Sequence, residues 1–136
     1  FRVDIHDLKG GITWYRKRFV LPADFKVGGK AFIEFEGVRQ AGEVYVNGVL
    51  AGGHENGVTA FGVDASKLLK PAPFENVVAV RVDSDWKYKE KATGSGFQWN
   101  NNNFNVNYGG IHRAVRLHLA GGLHHHGRTA SIDLVL

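Results

Sequence analysis

The chain has 136 residues, of which 43% are hydrophobic and 22% charged, and a formal net charge of +4. That length makes one domain with room for a real core. No run approaches the roughly 18 consecutive apolar residues of a membrane span, and the absence of Cys excludes a disulfide framework or a thiolate metal site. The positive balance could serve an acidic partner. However, the densest basic run, Lys87-Tyr88-Lys89-Glu90-Lys91, already contains an acid. Nucleic acid wants a broader basic stripe, so neither nucleic acid nor membrane is an expected partner.

Residues 1–9 alternate charge and lack the apolar core of a signal peptide. Met is missing everywhere, position 1 included, so the sequence reads as a piece of something longer. A strand through Trp14, Tyr15 and Phe19 ends at Leu21-Pro22, because proline cannot donate to a ladder. Gly28-Gly29 marks a turn. Ile33 and Phe35 then alternate with Glu34 and Glu36, and Val44 and Val46 with Glu43, Tyr45 and Asn47, which is the period-two signature of strands. Asn47-Gly48 between strand-like runs predicts a tight hairpin over residues 45–50, since Asn and Gly best tolerate the positive φ of a type I′ turn.

Only residues 64–69 read as helical, one or two turns with Asp64 or Ser66 as cap and Pro71 just beyond. Val78, Val80 and Val82 share one strand face, with Val77, Ala79 and Arg81 on the other. Val115, Leu117 and Leu119 alternate with Arg116 and His118, and Ile132, Leu134 and Leu136 repeat the pattern. Short strands with Gly-rich turns predict an all-β protein, a β-sandwich or jelly roll with at most one short helix. The domain is placed at residues 1–120. Residues 121–136 form a tail, either a last strand or a cloning remnant.

The most informative stretch is residues 97–113, FQWNNNNFNVNYGGIHR. Six of the ten residues 99–108 are asparagine, interleaved with aromatic or apolar side chains. A neutral amide offers an acceptor and two donors in one plane, and an aromatic ring offers a flat apolar face. Together they suit a neutral, polyhydroxylated ligand such as a sugar. Asn competes for backbone groups inside helices and strands, so residues 97–108 are expected to form a long loop feeding the next strand.

In order along the chain come Gly11-Ile12-Thr13-Trp14-Tyr15-Arg16-Lys17-Arg18-Phe19, Phe35-Glu36-Gly37-Val38, Val44-Tyr45-Val46-Asn47-Gly48, Gly53-His54-Glu55-Asn56-Gly57, Phe61-Gly62-Val63-Asp64, Asn76-Val77-Val78-Ala79-Val80-Arg81-Val82-Asp83 and Gly110-Ile111-His112-Arg113. This series resembles the N-terminal sugar-binding domain of glycoside hydrolase family 2, the β-galactosidase, β-glucuronidase and β-mannosidase group. The resemblance implies a jelly roll of the galactose-binding-domain-like type, followed in such enzymes by an immunoglobulin-like domain and a (β/α)₈ barrel. It implies a periplasmic or secreted parent. The two catalytic glutamates belong to the barrel, so no catalytic residue and no hydrolysis are expected of this chain. Retaining hydrolysis needs two carboxyls about 5 Å apart across the scissile bond.

The resemblance also implies that the Asn-rich loop reaches toward the barrel's pocket and helps hold the non-reducing sugar. The expected ligand-binding residues are Trp99, Asn100, Asn101, Asn102, Asn103, Asn105 and Asn107, with Trp86, His54 and Tyr108 as secondary candidates. Each has a structural alternative. The asparagines can cap their own loop, the tryptophans can pack in the core or between domains, and His54 can make a structural hydrogen bond in its Gly-His-x-x-Gly turn. Trp14, Tyr15 and Phe19 are read as structural. Arg16 and Arg113 are read as making buried or interfacial ion pairs, with Asp64 and Asp83 as the expected partners.

His124, His125 and His126 read as an exposed or tag-like stretch rather than a metal site. No cofactor is expected. A structural Ca²⁺ occurs in some folds of this shape, but no Asp-rich loop calls for one.

Three functions follow from these readings. The first is an accessory domain whose partners are carbohydrate and the remaining domains of a parent glycosidase. The second is an autonomous carbohydrate-binding module for a neutral glycan. The third is a non-sugar interaction module using the basic surface. The uncharged loop fits a neutral hexose better than a uronic acid, which would want a cation such as Arg.

Overall fold

The computed structural model describes residues 10–25, 28–85, 87–96, 109–121 and 129–134. These form ten strands: β1 (Ile12–Val20), β2 (Lys30–Phe35), β3 (Val38–Arg39), β4 (Ala41–Val46), β5 (Val49–His54), β6 (Phe61–Asp64), β7 (Glu75–Asp83), β8 (Gly110–Ile111), β9 (Val115–Ala120) and β10 (Thr129–Asp133). One four-stranded sheet runs β1-β7-β4-β5 and a second runs β10-β9-β2-β6, with β3-β8 as a two-stranded ribbon. All pairings between these strands are antiparallel. The architecture is the expected all-β sandwich.

The alternating residues make the core. Val44 and Val46 of β4 and Val78, Val80 and Val82 of β7 meet Ala31, Ile33 and Phe35 of β2 and Leu117 of β9, all fully buried. Such a double layer of β-branched and aromatic side chains is the main hydrophobic term holding two sheets together. Phe35 stacks on Phe61 with centroids 5.0 Å apart, tying β2 to β6 inside the sandwich.

Asn47 and Gly48 take φ of 50° and 86°, as a type I′ hairpin turn requires. The turn is locked from outside as well. Asn47 Nδ2 donates to Leu68 O at 2.7 Å and to Asn76 Oδ1 at 2.9 Å. Asn76 is completely buried, accepts from Lys70 N at 2.7 Å and donates to Lys70 O at 3.0 Å.

Two expectations are corrected. Residues 65–69 form a turn rather than a helix. Asp64 Oδ1 takes the Ser66 N–H at 2.8 Å and closes a local turn, while the Ser66 hydroxyl takes the Ala31 N–H at 3.0 Å and tethers the segment to β2. Arg16 and Arg113 are exposed without an ion-pair partner among the described residues. Asp64 instead pairs with Lys30 at 3.8 Å and Asp83 with Arg81 at 3.3 Å. Period two also separates the first-strand aromatics: Tyr15 and Phe19 pack on the core, while Trp14 points outward.

Candidate functional site

Of the expected ligand-binding residues, His54 is described. Trp86, Trp99, Asn100, Asn101, Asn102, Asn103, Asn105, Asn107 and Tyr108 lie outside the described residues, as do His124, His125 and His126. Both flanks of the Asn-rich segment are described, and both are held against the β3–β4 region.

The leading flank leaves β7 through successive carboxylate-to-backbone bonds. Asp83 Oδ1 accepts from Asp85 N at 3.2 Å, and Asp85 Oδ1 accepts from Lys87 N at 2.8 Å. Asp side chains favour such local turns over a continued ladder. Residues 89–96 then double back. Glu90 N donates to Ser95 O at 3.0 Å, Gly94 N to Glu90 O at 2.8 Å, and Lys89 bridges Gly96.

This flank is clasped to the sheet by two glutamates. Glu55, just past β5, accepts a hydrogen bond from the Tyr88 phenol and another from Lys91 N at 3.0 Å. Glu43, on the outward face of β4, receives Lys91 Nζ at 2.5 Å and Tyr45 Oη at 3.3 Å, with Arg81 Nη1 at 3.7 Å. Ala41, Gly42, Glu43, Gly53, His54, Glu55, Arg81, Tyr88 and Lys91 line a pocket of about 220 Å³. At Gly42 a Cβ would press on Val38 Cγ1 at 3.1 Å, and at Gly53 on the Gly42 carbonyl oxygen at 2.7 Å, so close packing of β4 and β5 calls for glycine at both positions.

The electrostatics follow from the contacts. The Lys91 hydrogen bond holds the Glu43 carboxyl below its ordinary value, aided by the charges of Lys91 and Arg81. Burial pushes Glu55 up, but its bonds from Tyr88 and the Lys91 amide outweigh that and leave it lowered. Tyr88 is raised by burial first and by the Glu55 carboxylate second. Glu43 and Glu55 therefore both stay ionised at neutral pH and engaged with donors, an arrangement that fixes a loop rather than one that assembles a general acid beside a nucleophile.

His54 Nε2 lies 2.8 Å from Thr59 Oγ1, and its ring stacks on Phe61 at 4.8 Å. It forms part of the pocket wall while bracing the 55–60 turn.

On the trailing flank, Gly110 pairs with Arg39 and Ile111 with Val38. Gly110 has φ +113°, and a Cβ there would run into the Tyr15 hydroxyl. Only glycine satisfies both conditions. Among the described residues no group of three His, Cys, Asp or Glu side chains is placed to hold a metal.

Sequence reading did not single out Glu43, Glu55, Tyr88, Arg81 and Lys91 as a unit. Their partners stand 33 to 48 residues apart and meet only through the strand register. The outward alternation of Glu43 on its strand was the sole available signal.

Among the described residues the chain is an antiparallel two-sheet β-sandwich with the 87–96 segment clasped to one side of it. Residues 3–120 match the family model described as "Glycosyl hydrolases family 2, sugar binding domain", and the chain belongs to that family. It is 42% identical over 120 residues to a beta-glucuronidase of Formosa agariphila, covering 84% of this chain and 11% of that protein. It is 45% identical over 73 residues to a beta-galactosidase of Thermoanaerobacter pseudethanolicus, covering 54% of this chain and 10% of that protein. A solved beta-glucuronidase from glycoside hydrolase family 2 superposes with a TM-score of 0.69 at 41% identity, over 82% of this chain and 11% of that one. The chain thus spans about a tenth of the length of the relatives it matches.

Proposed function

We propose that the chain is the accessory sugar-binding domain of a retaining β-glycosidase. It supports a catalytic barrel supplied by the rest of the polypeptide and lends its Asn-rich loop to sugar recognition. The observation that carries this reading is the family match over residues 3–120, together with relatives of which the aligned stretch is only 11% and 10%. The catalytic glutamates lie in the barrel, and residues 1–120 form the domain, to whose second sheet the 121–136 tail adds β10.

The Glu43–Lys91 and Glu55–Tyr88 contacts support a positioning role for the loop. They fix its leading flank, as Gly110 fixes its trailing flank. In the proposed mechanism Trp99 and Asn100, Asn101, Asn102, Asn103, Asn105 and Asn107 hold hydroxyl groups of the non-reducing sugar. The reacting carbon then meets the barrel's nucleophile in register, which converts binding into rate. No metal or cofactor enters this role.

Calorimetric and tryptophan-fluorescence titration of the isolated chain tests the reading, with galactose, glucuronate, mannose and β-glucan, xylan and galactan oligomers as ligands. An accessory domain shows no saturable binding at millimolar ligand. Saturable binding that Trp99→Ala abolishes would make the chain an autonomous carbohydrate-binding module instead.

A further inference from the structure

Two asparagines of the chain are followed by glycine, Asn47 and Asn56. In an Asn-Gly pair the side-chain amide is open to attack by the next backbone nitrogen, because glycine carries no Cβ to obstruct the approach. The structure separates the two sites. At Asn47, Nδ2 donates to Leu68 O at 2.7 Å and to Asn76 Oδ1 at 2.9 Å, and Oδ1 accepts from Val77 N at 2.9 Å. Both amide hydrogens and the carbonyl are engaged. For that amide to react, all of these bonds must break together.

Asn56 is exposed, in the turn between β5 and β6, and its surroundings are the reverse. Among the described residues its Nδ2 makes no hydrogen bond, and the Gly57 N–H donates none. Its Oδ1 accepts from Val58 N at 3.1 Å. A backbone N–H on that oxygen draws charge away from Cγ and stabilises the oxyanion that forms when a nucleophile adds there. The amide is therefore polarised, its nitrogen unheld and the adjacent backbone nitrogen uncommitted.

We infer that Asn56-Gly57 is a site of spontaneous deamidation, and that its product loosens the clasp at Glu55. Gly57 N gives up its proton and bonds to Asn56 Cγ. The Cγ–Nδ2 bond breaks and Nδ2 leaves as ammonia, which closes a succinimide ring. Water then opens the ring at either carbonyl, giving aspartate or isoaspartate at position 56. The net change turns an amide and a water into a carboxylate and an ammonium ion, with no oxidation or reduction. In isoaspartate the main chain runs through the former side-chain carbonyl and is one methylene longer. Gly57 has no room to absorb that length: it is buried, and even a Cβ there would lie 3.0 Å from Arg39 Cγ. The displacement falls on the other neighbour, Glu55, whose carboxylate holds the Tyr88 phenol and, at 3.0 Å, the Lys91 amide. The new carboxylate also puts a second negative charge next to Glu55 in the chain.

Peptide mapping by mass spectrometry of the full polypeptide, aged in mildly alkaline buffer, tests the inference, with a second sample aged in urea. In the folded protein Asn56 is expected to convert to aspartate and isoaspartate. Asn47 is expected to convert about a hundredfold more slowly, the order set by breaking its hydrogen bonds to Leu68, Asn76 and Val77 at once. In urea the two sites convert at similar rates, which shows that structure and not sequence separates them. Asn56 intact in the folded protein while it converts in urea overturns the inference, and so does conversion of Asn47 as fast as that of Asn56 in the folded protein. The clasp is read separately, by phenolate titration of the aged protein, with the Tyr88 step identified by Tyr88→Phe. That step moves to lower pH on ageing of the native protein and stays in place in Asn56→Gln, whose longer side chain closes the corresponding ring far less readily. A Tyr88 step unmoved in protein rich in isoaspartate overturns the loosening of the clasp. Neither readout involves sugar or hydrolysis, so both are independent of the proposed role of the Asn-rich segment in sugar recognition.

Discussion

The phenol of Tyr88 donates a hydrogen bond to the carboxylate of Glu55, 33 residues earlier in the chain. Through this bond and the Lys91–Glu43 pair, the flank that leads into the Asn-rich segment is held on the rigid β4–β5 hairpin. Loops carry function best when a scaffold fixes where they start and stop.

Tyr88 reports on this clasp directly. Burial and the Glu55 carboxylate raise it above its ordinary value of 10.0. A phenol raised in the folded state contributes stability that is present below the ordinary value and is lost as pH rises through the folded one. An alkaline titration followed by phenolate absorbance is expected to show a late step that Tyr88→Phe removes. A profile unchanged by that substitution would mean the phenol is not held as described.

The acid limb depends on the same contacts with opposite sign. Glu43 and Glu55 are both lowered from an ordinary value of 4.5. The stability they contribute is present above that value and lost as pH falls below it toward the folded values. The difference in melting temperature between the native chain and Glu43→Gln is therefore expected to be largest near neutrality. It should close progressively below pH 4.5. Melting curves across that range check it.

Asn76 is fully buried and bonds to three polar atoms, Asn47 Nδ2, Lys70 N and Lys70 O. Its truncation to Ala leaves Lys70 N, Lys70 O and Asn47 Nδ2 each short of one partner. The expected loss is about 2–4 kcal/mol, the order of several stranded buried groups. Denaturant unfolding measures it, and a loss under about 1 kcal/mol would show that water replaces the side chain.

Gly110→Ala is predicted to destabilise by about 2 kcal/mol or more, because the backbone is left-handed there and the new methyl meets the Tyr15 hydroxyl. Adding Tyr15→Phe should recover the steric part and leave the conformational part. A double-mutant cycle separates the two.

Much of the fold was legible because a half-buried strand writes its face into alternating side chains. The valines of β7 and the apolar positions of β2, β4 and β9 are an inward row in sequence and in structure. Asn47-Gly48 was legible because few residue pairs accept two positive φ values in succession. The expected helix at residues 64–69 failed because its capping signals are equally good turn signals, and here Ser66 bonds across to β2. Asp64 and Asp83 pair with Lys30 and Arg81 instead of Arg16 and Arg113, because partner choice depends on register between strands, which no local pattern encodes. The same holds for the Glu43–Lys91 clasp. The outward direction of Trp14 follows from its alternation with Tyr15.

The central proposal is that the Asn-rich segment serves hydrolysis performed elsewhere in the polypeptide. The most direct test is kcat/KM of the full enzyme with Asn100, Asn101, Asn102 and Asn103 replaced together by serine, measured on nitrophenyl β-galactoside and β-glucuronide. The account predicts a fall of about a hundredfold on the preferred substrate, the scale set by lost positioning, with the fold of the domain intact. An unchanged kcat/KM would contradict it and leave the domain a structural support alone.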